Sequence, residues 1–447
     1  MTSPGESITP PGETPVTPTA GVAGVQPRTS WMQLGVVCAA SFVVWTGFGA
    51  IIPYLPIFLK EEAHSSLWMI GVIAGMFYVG TLLFSSPLGW LSDTIGRKPV
   101  MVTGVALYAV AMLLFTTTLD PQWFIAFRLL EGIGAAAVGP AGQAFIADIT
   151  TEHNRSKAYG LQTTAQFGGL IVGPALAWPV YHAFGEGASG FYAIFIAGAL
   201  GAAGAALGLL ALVHEPPLTA RRKAYRRAHG SVRPPYREIL TPAILAFILI
   251  AFTTHFVMGA FEVVWSLRLK DLGASLSYIS LTFIVFSAPM LLSFFGGVLA
   301  DRRSRFALMF AGYTISAGAW IVYGLTEDFR LILVVSALEG LAIAFSFPAK
   351  QAFLIQVSPM RWRGTVVGIE STSMQLAGLI GTLTAPAVYG WVSGYVLTLA
   401  GCVSLLGLAI AAPVLHGEWR RLSQPDAVAT PPAQPPDATG QQRRTSR

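Results

Sequence analysis

From about Gln33 to Leu415 the chain alternates long apolar runs with short polar loops. Each run is close to the ~20 residues that a helix needs to cross a bilayer. The runs are Gln33–Leu59, Trp68–Trp90, Val100–Thr118, Gln122–Ala147, Lys157–His182 and Phe191–Val213, then Pro242–Leu267, Ser277–Leu299, Phe306–Leu325, Leu331–Gln356, Thr365–Trp391 and Tyr395–Leu415. The pattern predicts an all-α integral membrane protein of about twelve transmembrane helices. Residues 1–30 are rich in Pro, Thr, Gly and Ser and read as a disordered tail. They lack the short apolar stretch after a basic start that marks a cleaved signal peptide. Residues 417–447 repeat that composition and read as a second disordered tail.

Composition agrees with burial in lipid. Of 447 residues, 53% are hydrophobic and 11% charged, against roughly a quarter charged in soluble domains. A soluble enzyme of this length would need a polar surface that these residues cannot supply. The net charge of +6 sits in short clusters between apolar runs. No basic face is interleaved with aromatics, so nucleic-acid binding is not expected. Cys38 and Cys402 both fall in apolar runs, no CxxC occurs, and neither a disulfide framework nor a metal site is indicated.

The loop charges orient the chain. With a cytoplasmic amino terminus, the inner loops hold Arg97, Lys98, Arg155, Lys157, Arg302, Arg303, Arg305, Arg361 and Arg363, together with a basic stretch from Arg221 to Arg237. The outer loops then hold only Lys60, Arg268, Lys270 and Arg330. The positive-inside rule therefore predicts that both termini are cytoplasmic, and it accounts for the basic stretch without a dedicated lipid-headgroup or partner site.

The chain also repeats itself. Pro140-Ala-Gly-Gln-Ala-Phe145 returns as Pro348-Ala-Lys-Gln-Ala-Phe353, a shift of 208 residues. The same shift relates Glu131-Gly132 to Glu339-Gly340, Asp93 to Asp301, Arg155 to Arg363 and Gly160 to Gly368. This predicts two six-helix halves, residues 31–213 and 241–416, joined by a basic cytoplasmic linker over residues 214–240. Halves of this kind face each other across a central substrate path, which suggests a transporter.

The loop Gly89-Trp-Leu-Ser-Asp93-Thr-Ile-Gly96-Arg97-Lys98 resembles the signature loop of the major facilitator superfamily, and Gly297-Val-Leu-Ala-Asp301-Arg302 repeats it in degraded form. The resemblance covers the whole membrane portion. It implies that Gly89, Asp93, Gly96, Arg97 and Asp148 form an inner gate, with Asp93 against the start of the eleventh helix and Arg97 paired with Asp148. An acid at a helix start meets about half a positive charge. In the fourth helix, Arg128-Leu-Leu-Glu131-Gly132-Ile-Gly134 resembles the family's second motif, with Glu where the family usually has Gln. Arg128 and Glu131 are three residues apart and share a helix face. They form either a structural ion pair or a proton-handling pair, and the resemblance favours proton handling. In the fifth helix, Gly169-Leu-Ile-Val-Gly173-Pro174 resembles the motif of drug antiporters, although Ala177-Trp178 replaces the Gly-Gly that follows in the family. Close helix packing by small residues is the other reading of that stretch.

Further ionisable residues interrupt apolar runs: His255 and Glu262 in the seventh helix, Glu339 and Lys350 in the tenth, and Glu370 in the eleventh. Charged residues in spanning segments default to function, with buried structural pairing as the alternative. The resemblance places helices one, four, seven and ten on the cavity. Arg128, Glu131 and Glu262 are then the expected coupling residues, and Glu339, Lys350, His255 and Glu370 the expected substrate-cavity residues. No phosphate-binding loop, GxSxG or HExxH occurs, so neither ATP drive nor hydrolysis is indicated. Gly132-Ile-Gly134 does not complete a dinucleotide fingerprint, and no cofactor is expected.

These features point to a monomeric, multi-pass secondary transporter of a bacterial-type plasma membrane. Its partners would be a small-molecule substrate, protons and membrane lipid. The resemblance is closest to twelve-helix drug:proton antiporters, in which a charge moving inward gains about 2.3 kcal/mol per 100 mV. A proton-coupled importer, an exporter of a single metabolite and a non-transporting sensor on the same fold are the rival readings.

Overall fold

The computed structural model describes residues 30–185, 187–215, 236–359 and 362–423. Most of both tails, residues 216–235 of the basic linker and Arg361 lie outside the described residues.

Twelve helical rods cross the molecule, in the order that the apolar runs predict. The first rod is α1 (Trp31–Ile51) continued by α2 (Leu55–Glu61). Then come α3 (Leu67–Ile95), α4 (Arg97–Leu114), α5 (Pro121–Ile149), α6 (Glu152–Ala183) and α7 (Ala188–Leu212). The short α8 (Tyr236–Ile239) leads into the second half, which opens with α9 (Pro242–Asp271). Its second rod is α10 (Leu276–Ser287), a 3-10 turn at Ala288–Leu292 and α11 (Ser293–Arg302). The last four rods are α12 (Arg305–Leu325), α13 (Phe329–Val357), α14 (Arg363–Val392) and α15 (Tyr395–Ser423).

Local chemistry sets the helix starts. Ser66, Asp120, Thr241, Ser275, Ser304 and Asp328 each accept a backbone N–H of the first turn, which satisfies donors that no earlier carbonyl can reach. Pro121 and Pro242 occupy first-turn positions where the missing N–H costs nothing. Pro289 falls within the 3-10 turn that splits the eighth rod. The α15 helix runs to Ser423 and so extends past the boundary expected at residue 416. Trp419 packs its ring edge-on against Phe353 at 5.5 Å, and Arg421 pairs with Glu418. These contacts support about two last turns whose composition alone reads as tail.

Ten of the twelve rods are apolar enough by composition alone to cross a membrane. The other two, α6 and α14, are repeat counterparts, and both carry several Gly and Thr residues. Each packs on the first helix of its own half, α6 on α1 and α14 on α9, and each also touches the opposite half. The cross-half seams are α3 with α14 and α6 with α10. Their polar residues face a cavity or the other half rather than lipid: Thr163 and Thr164 of α6 line the space toward α11 and α13, and Gln375 of α14 bonds Thr81 of α3.

One end of the bundle carries Lys60 and Asp271, and the other carries Arg97 and Arg303. Toward the Lys60 end the two halves share one continuous apolar core, in which Phe58, Ile70, Val264 and Ala385 all take part. A second, separate core around Phe247, Tyr313, Phe353 and Leu408 belongs to the Arg97 end of the second half alone. The halves are therefore joined toward the Lys60 end and parted toward the Arg97 end.

Candidate functional site

The centre of the molecule holds a buried charge cluster that spans both halves. Glycines bring the helices close enough to build it. A Cβ on Gly132 of α5 would strike the Phe77 carbonyl oxygen, and one on Gly80 of α3 would stand 2.8 Å from the Leu129 carbonyl. This approach sets the Phe77 ring 5.1 Å from the Arg128 guanidinium. On α5, Arg128 Nη1 donates to Glu131 Oε2 at 2.7 Å. Its Nη2 donates across the halves to Glu262 Oε1 on α9, at 2.6 Å. The Tyr78 hydroxyl of α3 donates to the other Glu262 oxygen at 2.9 Å. Arg128 is 2% exposed, Glu131 fully buried and Glu262 9% exposed. One guanidinium thus faces two carboxylates in a buried site. If both acids are ionised, the three groups sum to −1, and one added proton makes the cluster neutral. Charge out of water is costly unless it is balanced.

A second set of ionisable groups inside the membrane portion lies in the second half. Lys350 Nζ on α13 donates to Glu370 Oε1 on α14 at 2.6 Å, and both are about as buried as Arg128. His255 Nδ1 lies 3.1 Å from the Ala251 carbonyl of its own helix. Glu339 does not join Lys350, although the two share a face of α13. It accepts hydrogen bonds from Ser316 at 2.8 Å and Tyr323 at 3.0 Å, both on α12. No cation pairs with Glu339 among the described residues. It is 3% exposed and turned into the α12–α13 contact rather than onto an open cavity.

The residues expected to form an inner gate cluster at the Arg97 end of the first half. Arg97 pairs with Asp93 and, at 3.6 Å, with Asp148. Its Nη1 also donates to Ser92 Oγ at 2.6 Å. Gly96 takes a φ of +116° to turn between α3 and α4, a conformation that a side chain would strain. The carboxylate at the start of α4 belongs to Glu215, which accepts the backbone N–H groups of Arg97 and Lys98 at 2.7 and 2.8 Å. The Arg97–Asp148 contact joins two elements of one half. Gly89 faces Pro140 of α5.

The opposite end is latched across the halves. Lys60 pairs with Asp271 at 2.9 Å, and Lys270 pairs with Glu61 at 3.2 Å. The Tyr389 hydroxyl adds a 2.6 Å bond to Asp271, and Tyr54 and Ser280 hydroxyls meet at 2.8 Å. Cavity sizes follow the same asymmetry. Between Arg128 and the Lys60 end only ≈10 Å³ is open, about the least that one water needs. Toward the other end, the first half encloses ≈130 Å³ between Trp45, Tyr108, Gly134 and Gln162. A larger cavity of ≈700 Å³ lies between α6, α11 and α13, walled by Thr163, Phe167, Phe294, Phe347 and Gln351.

Gly169 and Gly173 of α6 lie on α1, where added Cβ atoms would strike the backbone of Phe42, Thr46 and Ala50. Gly381, which the repeat relates to Gly173, meets the backbone of Phe256 and Ala260 on α9 in the same manner. The motif around Pro174 is therefore a close helix contact that both halves possess.

Twelve rods in two repeat-related halves, a polar centre and a glycine-turned loop after the second rod can be compared with known proteins. The profile of the Major Facilitator Superfamily matches residues 37–267 and 247–444. The chain belongs to the Major Facilitator Superfamily. Multidrug resistance protein 2 of Bacillus subtilis (strain 168) is 27% identical over 386 residues, which is 83% of this chain and 92% of that protein. The quinolone resistance protein NorA of Staphylococcus aureus (strain COL) is 24% identical over 392 residues, 85% of this chain and 95% of that one. In fold, the crystal structure of a D-xylose-proton symporter superposes with a TM-score of 0.71 at 17% identity, covering 86% of this chain and 97% of that one. A bacterial homologue of the human lysosomal transporter Spinster, in an inward-facing and occupied conformation, gives 0.69 at 18% identity, covering 89% and 98%. This superfamily protein is a multi-pass membrane transporter of small molecules.

Of the residues expected to act together, Arg128, Glu131 and Glu262 are brought into one cluster, and Lys350 and Glu370 into another. His255 and Glu339 stand apart from the first cluster. Sequence reasoning did not find Tyr78, Ser316, Tyr323 or Glu215. A hydroxyl in an apolar run costs too little to stand out. Glu215, read as the second residue of a solvated linker, gives no local sign that it caps a helix far from it in sequence.

Proposed function

We propose that this transporter is a proton-coupled antiporter that exports small amphipathic molecules by alternating access, with Arg128, Glu131 and Glu262 as its coupling residues. The observation that carries the reading is the guanidinium shared by two buried carboxylates on opposite halves. Such a cluster can hold one proton without leaving net charge in a dry site, and its protonation state bears directly on the bond that ties the halves together. A substrate entering near it and a proton bound to it then compete through charge. The drug-resistance names of the two bacterial relatives support export as the direction and amphipathic compounds as the cargo.

In this reading the Arg97 end and both termini are cytoplasmic, as the loop charges require. The structure is then inward-open, latched outside by the pairs Lys60–Asp271 and Lys270–Glu61. The group Gly89, Asp93, Gly96, Arg97 and Asp148 serves as the inner gate, in reserve until the cytoplasmic ends close. The contacts of Gly169, Gly173 and Pro174 set the close packing of α1 and α6 rather than the direction of transport. The protein works as a monomer in a bacterial-type plasma membrane.

The test uses inside-out vesicles that contain the protein, acidified by respiration and loaded with a pH-sensitive dye. Substrate-induced alkalinisation in the wild type, absent in Glu131→Gln, is the expected result. An undiminished response in both Glu131→Gln and Glu262→Gln removes the cluster from the proton path. No response to a panel of cationic, neutral and anionic amphiphiles rejects antiport.

A further inference from the structure

The Lys350–Glu370 pair has no part in the coupling cluster, yet it is as deeply buried, at 1% and 2% exposure. The repeat shows what is unusual about it. Shifting by 208 residues relates Lys350 to Gly142, Glu370 to Gln162 and Phe347 to Gly139. Gly142 and Gln162 meet in the first half just as their counterparts do in the second, because a Cβ on Gly142 would stand 3.7 Å from Gln162 Nε2. The fold therefore closes this contact with an uncharged pair in one half. Packing between the fourth and fifth helices of a half does not need an ion pair, and the charges in the second half require another explanation.

Location supplies it. Gly139 and Gln162 line the ≈130 Å³ cavity of the first half, so this position in the fold borders open space rather than a closed packing contact. In the second half a phenyl ring stands there instead. Phe347 walls the ≈700 Å³ cavity together with Gln351, one residue beyond Lys350. Its ring centroid is 5.6 Å from Lys350 Nζ. Phe347 thus borders both the cavity and the ammonium, about one helical turn from Lys350 on α13.

We propose that Lys350 and Glu370 form a charge-exchange site for zwitterionic substrates, in which the substrate's anionic group takes Lys350 and its cationic group takes Glu370. The inference rests on the antiport reading above and names its substrate class. The physical reason is charge conservation. Each member of the pair is the other's charged partner in a nearly dry site. A purely anionic guest that captures Lys350 strands Glu370, and a purely cationic guest strands Lys350. Stranding one member of a buried pair is strongly unfavourable. Only a guest with both charges replaces both partners at once, and the pair re-forms when it leaves. The resting pair thus keeps the site neutral and empty of singly charged competitors.

The test compares three matched probes in the same vesicles: Nε-dansyl-lysine, a zwitterion; dansylcadaverine, which lacks its carboxylate; and dansyl-aminohexanoate, which lacks its amine. Ethidium serves as an amphipathic cation that reports antiport by itself. The wild type is expected to exchange the zwitterion at least about tenfold faster than either singly charged analogue, since each analogue leaves one buried partner unmatched. The double variant Lys350→Gly with Glu370→Gln, which copies the pair from the first half, is expected to exchange the three dansyl probes at similar rates. A wild type that handles dansylcadaverine as well as the zwitterion overturns the inference without any variant. So does a double variant that keeps the preference. Ethidium exchange without exchange of the zwitterion rejects this inference and leaves antiport standing. Silence with all four probes rejects both.

Discussion

Two bonds tie Glu262 to the first half, from Arg128 and from Tyr78; the one from Arg128 is the ion pair, and its weakening should be readable as a change in conformation. In Glu262→Gln the side chain keeps its shape, and its amide oxygen can still accept from Arg128 Nη2, now 2.6 Å from Glu262 Oε1. What is lost is the charge. A buried hydrogen bond that involves a charged group contributes about 1.5–3 kcal/mol; with Arg128 still charged, exchanging the ion pair for a guanidinium–amide bond moves from the top of that range toward its bottom, so the halves lose about 1–1.5 kcal/mol of attraction. At 1.36 kcal/mol per tenfold, this shifts the ratio of latched to unlatched molecules by roughly five- to tenfold. Glu131→Gln also removes one carboxylate from the cluster, but its partner Arg128 lies on the same helix, so the halves lose no direct bond. The assay is electron–electron distance measurement between spin labels at Leu119→Cys and Leu325→Cys, two exposed residues at the Lys60 end of opposite halves. Glu262→Gln should populate a longer distance that Glu131→Gln does not. Equal shifts in the two variants, or no shift in Glu262→Gln, would refute the reasoning that this bond holds the halves together.

Three other outcomes follow from named contacts. Tyr78→Phe keeps the ring on Gly378 but removes the donor to Glu262 Oε2 at 2.9 Å, and proton exchange should slow about tenfold, as expected for one lost bond to a charged group. Asp271→Asn weakens both the Lys60 and Tyr389 contacts; because Lys60 and Asp271 are 38% and 41% exposed, the latch should shift only about two- to fivefold in the same distance assay, and reversal of the pair as Lys60→Asp with Asp271→Lys should restore it. Gly173→Ala and Gly381→Ala should each lower thermal stability by a similar amount, about 1–3 kcal/mol, because both force a methyl group against the backbone of a neighbouring helix. A loss confined to Gly173→Ala, with altered transport and unaltered stability, would restore a special role to that glycine.

Much of the architecture was legible along the chain. Twelve rods could be counted because a helix in lipid must be apolar over its whole crossing, and that requirement is local. It is weakest where helices turn polar residues to a cavity or to the other half, as Thr163, Thr164 and Gln375 do, and α6 and α14 are the two that composition alone does not qualify. The end of α15 was misplaced for a related reason: Trp419 and the Glu418–Arg421 pair stabilise a polar last turn through contacts that hydropathy does not register. Arg128, Glu131, Glu262, Lys350 and Glu370 stood out because ionised groups in apolar runs are costly and therefore rare.

Their partners were another matter. Helical spacing could place Glu339 and Lys350 on one face of α13, and it could not say that the first turns toward Ser316 and Tyr323 while the second reaches Glu370. It paired Arg128 with Glu131 but had no means to bring Glu262 within 2.6 Å, 134 residues away in sequence. The sequence by itself determined which residues cross the membrane, which of them bear charge, and that the two halves share one plan, since each of these depends on composition or on local and repeated pattern. Only the tertiary structure decided which charges neutralise which, because that depends on how glycines let particular helices approach, and a buried charge takes its character from the neighbour that the fold supplies.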